Sequence, residues 1–264
     1  MRRFMIESRQ LCEARLNEGG DFQMGTSKFV LAAFAAAFLL TPGAVFAGSD
    51  IEGGTEYKIA QGGQLYDNWI EITEAADPPM GTNEAYPQDK GKARKAKSWL
   101  CISCHGWDYK GKDGVFGKEG DKDFTGIKGV IGAAGKDPKS LLDVIKGKHG
   151  LKDDSIEDEE VEALAAFVSA GLGDVGKYIS ATGQGTGDKA KGKLYYSTLC
   201  INCHGADGKL IADLPALGAL TNENPWRGLH TIRNGRPKQP MPGLRALPEN
   251  VSGDILAYVQ TLSK

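Results

Sequence analysis

The sequence predicts short helices joined by long irregular connections, laid out twice along one chain. Three features carry that expectation. Glycine is the compositional outlier, at 36 of 264 residues, and it falls mostly between the motifs. The string Cys-x-x-Cys-His occurs at Cys101, Cys104 and His105, and returns 99 residues later at Cys200, Cys203 and His204. Each copy is followed by apolar residues at helical spacing: Val161, Leu164, Ala165 and Val168 in the first half, and Ile255, Leu256, Val259 and Leu262 in the second.

A chain of this length holds one or two domains. With 41% hydrophobic and 25% charged residues and a formal net charge of −2, it is neither a nucleic-acid binder relying on overall basic charge nor a multi-span membrane protein. The N-terminus holds one apolar run, Phe29 to Leu40, preceded by Lys28 and followed by "TPGAVFAGSD". Twelve apolar residues are short for a bilayer span but fit the core of a secretory signal. Cleavage is expected after Ala47, giving a periplasmic chain from Gly48. Residues 1–47 are then an N-terminal extension and signal peptide, and Met24 is the better start for that signal. An uncleaved anchor is the alternative. Export discards Cys12, so the remaining four cysteines all lie in the two motifs and none is left for a disulfide between domains.

Cys-x-x-Cys-His can hold a haem, a zinc ion or a redox disulfide. Haem attachment needs two thiols for thioether bonds and an adjacent imidazole for the iron, which this spacing supplies. A zinc ribbon sets its second pair about 15–20 residues from the first, whereas 95 residues separate Cys104 from Cys200. A thioredoxin-type disulfide needs no following histidine and sits in a βαβ context. Two copies in an exported chain favour two covalent haem c groups on Cys101, Cys104, Cys200 and Cys203, with zinc and disulfide as the alternatives.

Each iron held by His105 or His204 needs a second axial ligand. In the second half Met241 lies between two prolines in a loop ahead of the last helix, which suits a weak ligand held rigidly better than a methionine filling a core gap. Counting back from the terminal helices, Phe167 follows His149 by 18 residues and Tyr258 follows Met241 by 17. His149 therefore stands where Met241 stands in the other copy. The expected pairs are His105 with His149 and His204 with Met241; Met80 and an open first site are the alternatives. His230 is expected to be a structural hydrogen-bonder.

A helix is expected over residues 61–73. "GQLY" at Gly63–Tyr66 resembles "GKLY" at Gly192–Tyr195, but it stands 35 positions before the first motif, so the first half carries an insertion of about 30 residues over 74–97. The boundary between halves is expected in the Gly-, Ser- and Thr-rich stretch 172–187.

Both halves resemble class I c-type cytochromes, and the strings "GGQLYDNW", "CHGWDYKG" and "NGRPKQPMPG" resemble stretches of bacterial di-haem electron carriers. The resemblance covers about residues 60–264. It implies an all-α fold of two tandem class I cytochrome c-like domains, over 48–176 and 177–264, each with an N-terminal helix crossing a C-terminal one over its haem. Each half is small and glycine-rich, so a buried macrocycle would supply hydrophobic volume the chain lacks.

A six-coordinate haem carries single electrons, and methionine ligation raises its potential. The expected function is thus one-electron transfer between redox protein partners, entering at the first haem and leaving at the second. Lys90, Lys92, Arg94, Lys95 and Lys97 before the first motif, with Lys110, Lys112, Lys118 and Lys122 after it, form a candidate docking face for an acidic partner. They and the acidic block from Asp153 to Glu162 are otherwise solvated faces. The alternatives are a haem enzyme, of thiosulfate dehydrogenase or peroxidase type, and an electron-transfer subunit of a periplasmic dehydrogenase or oxidase.

Overall fold

A computed structural model describes residues 55–73, 80–151 and 155–264, and Gly48–Lys264 forms one compact unit. The apolar run Phe29–Leu40, the Met24 start, cleavage after Ala47, and Asp153 and Asp154 lie outside the described residues. Among the described residues there are helices and isolated bridges but no strands, and no helix is long and apolar enough to cross a membrane.

The first helix, α1 (Thr55–Thr73), starts six residues before the expected position. It is two pieces, broken at Asn68 (φ −157°, ψ 81°). The Asn68 side-chain oxygen accepts the N–H of Glu71 at 3.2 Å, so the residue that ends one piece caps the next. Next come α2 (Ile102–His105), α3 (Lys139–His149) and α4 (Asp158–Ala166), the last running into a π-turn at Phe167–Gly171. The N-terminus of α4 is closed by a capping box between Glu157 and Glu160. Two more residues of the acidic block are ion-paired: Asp158 with Lys146, and Glu162 with Lys58 at 2.7 Å. The start of α4 is therefore capped and ion-paired.

The second half contains α5 (Lys189–Leu199), α6 (Ile201–His204), α7 (Leu217–Glu223), α8 (Pro225–Asn234) and α9 (Glu249–Val259). Asp188 caps α5 by accepting the N–H groups of Ala190 and Lys191. Asn224 caps α8, whose first residue is Pro225, the position where a missing N–H costs nothing.

Two helix crossings organise the core, and they match residue for residue. α1 crosses α4 so closely that a Cβ on Gly62 would stand 1.9 Å from the Ala163 carbonyl oxygen. α5 crosses α9 the same way, with a Cβ on Gly192 falling 1.9 Å from the Asp254 carbonyl oxygen. Four residues on, Tyr66 packs on Phe167 at 5.4 Å between ring centroids, and Tyr196 on Tyr258 at 5.5 Å. The match corrects the sequence register by one position: Gly62 and Tyr66 answer Gly192 and Tyr196, not Gly63 answering Gly192 and Tyr66 answering Tyr195. The doubled "YY" in the second copy hid the right pairing, since either tyrosine satisfies the string while only Tyr196 faces inward.

Gly63 has a separate use. A Cβ there would fall 2.4 Å from Asn234 Cγ at the end of α8, so adjacent glycines admit α4 on one side and α8 on the other. Around this contact Gln64 donates to the Asn234 carbonyl at 2.8 Å. Arg245 reaches back from the second half to donate to the Gly171 carbonyl at 2.6 Å. Stretch 172–187 is not slack either: Tyr178 and Ile179 are buried, and Gln260 holds Gly183 and Gly185 by hydrogen bonds. The Gly, Ser and Thr content permits tight turns packed on α9.

Candidate functional site

The two Cys-x-x-Cys-His strings fold alike. Each is one helical turn ended by a glycine in the left-handed region, Gly106 (φ 70°, ψ 168°) and Gly205 (φ 75°, ψ 168°). That conformation turns the Gly106 carbonyl to accept the Tyr66 hydroxyl, and the Gly205 carbonyl to accept the Tyr196 hydroxyl, both at 2.7 Å. Each motif is thereby tied to the N-terminal helix of its own half. In the first half Trp107 Nε1 adds a bond to Asp67 at 2.8 Å, and Trp69 Nε1 one to the Trp99 carbonyl at 2.9 Å. The strings "GGQLYDNW" and "CHGWDYKG" are thus two sides of one hydrogen-bonded assembly.

None of the four motif cysteines is in a disulfide. Burial pushes the Cys101 thiol up to about 12, and the Cys104 and Cys200 thiols up to about 11, as apolar surroundings do. Such surroundings suit the edge of a macrocycle. Among the described residues no cluster of three or more His, Cys, Asp or Glu side chains is arranged to hold a metal ion.

His105 and His149 come together. Their ring centroids are 6.1 Å apart with 60° between planes. His105 Nδ1 faces the Lys128 carbonyl at 2.7 Å, and His149 Nδ1 faces the Val144 carbonyl at 3.0 Å. Tying Nδ1–H to a carbonyl fixes the tautomer that leaves Nε2 as the free lone pair on each ring. An imidazole nitrogen binds a metal at about 2 Å and its ring centre lies about 1.1 Å further back, so an ion shared by two rings separates their centres by about 6 Å. The observed spacing fits. Burial, with His149 adding to it, holds the His105 ring below the usual imidazole range, so it stays neutral, as a ligand must be.

His149 sits on the last turn of α3, not in a loop, with Gly150 (φ 64°) closing the helix behind it. Met80 is 86% exposed, a poor position for a ligand.

In the second half His204 ends α6 half-buried, its ring held below the usual imidazole range by burial. Met241 is half-buried on the return arm of a hairpin-like loop, pinned by the bridge between Gly235 and Pro242 and by Leu244 N–H donating to the Ile232 carbonyl at 3.0 Å. His204 and Met241 stand on separate elements.

His230 is the hydrogen-bonder the sequence suggested. It is 2% exposed: Nε2 donates to the Gly63 carbonyl at 2.9 Å and Nδ1 accepts the Tyr109 hydroxyl at 2.8 Å. Tyr66, Tyr109 and Phe167 surround it at 5.7–6.0 Å. Sequence reasoning missed Tyr109. It adopts φ 63°, where the second copy has Gly208 at φ 75° in the equivalent position four residues past the motif histidine. A tyrosine where the repeat uses glycine was the available signal. Its left-handed backbone is unfavourable for a bulky residue, and its ring is what joins the first motif's loop to α8 of the other half.

Lys90, Lys92, Arg94, Lys95 and Lys97 are exposed, as are Lys112, Lys118 and Lys122, while Lys110 is half-buried. Lys112 and Lys118 have local partners, Asp113 at 3.0 Å and Asp121 at 4.0 Å.

No curated protein matches the chain. The cytochrome c family model matches residues 189–263, from the first residue of α5 to past the end of α9, spanning the second motif and Met241. That match supports a c-type cytochrome with covalent haem c and haem-based electron transfer.

Proposed function

We propose that the mature chain, from Gly48, is a periplasmic di-haem cytochrome c that passes single electrons between protein partners. Its domains are 48–176 and 177–264. Cys101 and Cys104 attach one haem and Cys200 and Cys203 the other, with His105/His149 and His204/Met241 as axial pairs. The observation that carries this reading beyond the family match is the His105–His149 pair, at 6.1 Å with both Nδ1 atoms committed to carbonyls. When bound, each haem supplies a reversible one-electron couple. The protein's part is to set two unlike environments: a bis-histidine pair on packed helices, and a histidine–methionine pair closed by a loop. Methionine ligation favours the reduced state relative to bis-histidine, so electrons run from the first site to the second.

Co-expression with a haem c maturation system tests this reading. Two haems per chain by mass are expected, and two potentials in a spectroelectrochemical titration. One haem, or two indistinguishable potentials, contradicts it. The exposed lysines before the first motif make it the entry face for an acidic donor. Reduction by the physiological donor should slow steeply with added salt, and a flat response removes that face.

An enzyme of peroxidase type needs an open position at the first site, and the closeness of His149 to His105 favours the carrier. Only weak carbon monoxide binding by the reduced protein, limited by detachment of a ligand, is the expected outcome.

A further inference from the structure

The first half carries an insertion that the second lacks: Tyr66 precedes Cys101 by 35 positions, whereas its counterpart Tyr196 precedes Cys200 by four. The insertion folds back against its own half. Trp69 on α1 donates to the Trp99 carbonyl, and Trp99 Nε1 in turn donates to the Gly81 carbonyl at 2.9 Å. Asn83, 7% exposed, donates its backbone N–H to Ser98 Oγ at 2.8 Å, and Ser98 donates onward to the Lys95 carbonyl at 2.6 Å. Lys95 is held at φ 52°, with its N–H on Thr82 Oγ1 at 3.1 Å. This turn is fixed from both ends.

The Asn83 side chain leaves that turn and reaches the distal side of the site. Its Oδ1 accepts the Ala85 N–H at 2.8 Å, which orients the amide so that Nδ2 donates to the His149 carbonyl at 3.2 Å. His149 is the last residue of α3, and a terminal helix carbonyl has no partner within its own helix. The insertion supplies one.

We propose that residues 80–100 are a strap that positions the distal ligand of the first site, with Asn83 as the positioning residue. It links Trp99, two residues before Cys101, to the backbone of His149, so one hydrogen-bonded segment spans both sides of the site. The strap keeps His149 on the iron and holds down the population of the detached state. The proposal rests on the His105/His149 reading above and adds to it what holds that pair closed.

Asn83→Asp keeps the oxygen that caps Ala85 and removes the donor to His149. Ser98→Ala cuts the strap at its other end. Both are made in the holoprotein, checked for two bound haems, and read by low-temperature EPR of the oxidised form and carbon monoxide titration of the reduced form. Loss of one such hydrogen bond raises the detached population, and with it the apparent carbon monoxide affinity of the first site, by about five- to tenfold, while the second site's EPR signal is unchanged. Wild-type affinity and wild-type EPR in both variants overturn the strap. A wild-type protein with no bis-histidine signal overturns the ligand reading itself, and the strap with it.

Discussion

The two halves share one helix crossing and one motif geometry, yet their candidate distal ligands stand on different supports. In the first, His149 rides on the end of α3, hydrogen-bonded to the Val144 carbonyl behind it and to Asn83 beside it. In the second, Met241 rides on a loop fixed by the bridge from Gly235 to Pro242. A basic imidazole on a braced helix and a thioether on a hairpin make different demands on the chain. The repeated part sets the platform: glycine at the crossing, tyrosine on the glycine carbonyl. The parts that are not repeated, the insertion and the distal segment, are where the halves differ.

The largest effects come from removing one attachment site at a time. Replacing Cys101 and Cys104 by alanine leaves only the second haem and its histidine–methionine spectrum; replacing Cys200 and Cys203 leaves only the first. Mass and optical spectra check this, and two residual species with the same spectrum would erase the distinction between halves. Next, Met241→His should make the second site resemble the first, lowering its potential by on the order of 0.1 V, a fraction of the roughly 0.8 V span that haem axial ligands cover. The titration should then collapse toward a single step.

Gly62→Val and Gly192→Val probe the shared platform. Each puts a side chain against a backbone carbonyl that cannot move without separating its helices. Both should cost about 1–3 kcal/mol or more and lower the melting temperature of the holoprotein. A large effect at one position and none at the other would break the equivalence of the crossings.

The crossings were legible in outline because a helix face and a helix-spaced glycine leave periodic marks. The axial candidates could be narrowed from the sequence because few His or Met residues compete for the role. The one-residue slip in register arose where "GG" and "YY" each offered two matches, and only packing distinguishes Gly62 from Gly63 or Tyr196 from Tyr195. The contacts of Asn83 and Tyr109 were not legible, because both reach partners 66 and 121 positions away through single hydrogen bonds. Such pairs have no period to read. The same holds for the stretch 172–187, where Tyr178 and Ile179 are core amid Gly-, Ser- and Thr-rich turns.

The smallest effects concern the contact between the halves. Tyr109→Phe removes only the hydroxyl and leaves His230 Nδ1 without its donor, a loss of about 1–3 kcal/mol in thermal or denaturant unfolding. His230 also sets a pH dependence. Burial, opposed by the nearby Asp67 charge and the Gly63 hydrogen bond, holds its ring below the usual imidazole range. The unfolded chain therefore binds this proton more readily than the folded one. Stability from this residue is present above the ordinary imidazole pKa, near 6.5, and is lost as pH falls toward the depressed folded value. His230→Gln should flatten that dependence; an unchanged slope in unfolding free energy against pH would place its origin elsewhere.

The central claim, that one chain holds two haems with unlike axial pairs, is tested most directly by low-temperature EPR with near-infrared magnetic circular dichroism of the oxidised holoprotein. The expected result is two low-spin populations in equal amount, one with the charge-transfer band of bis-histidine ligation and one with that of histidine–methionine. Two identical populations, or a high-spin signal from the first site, would contradict it.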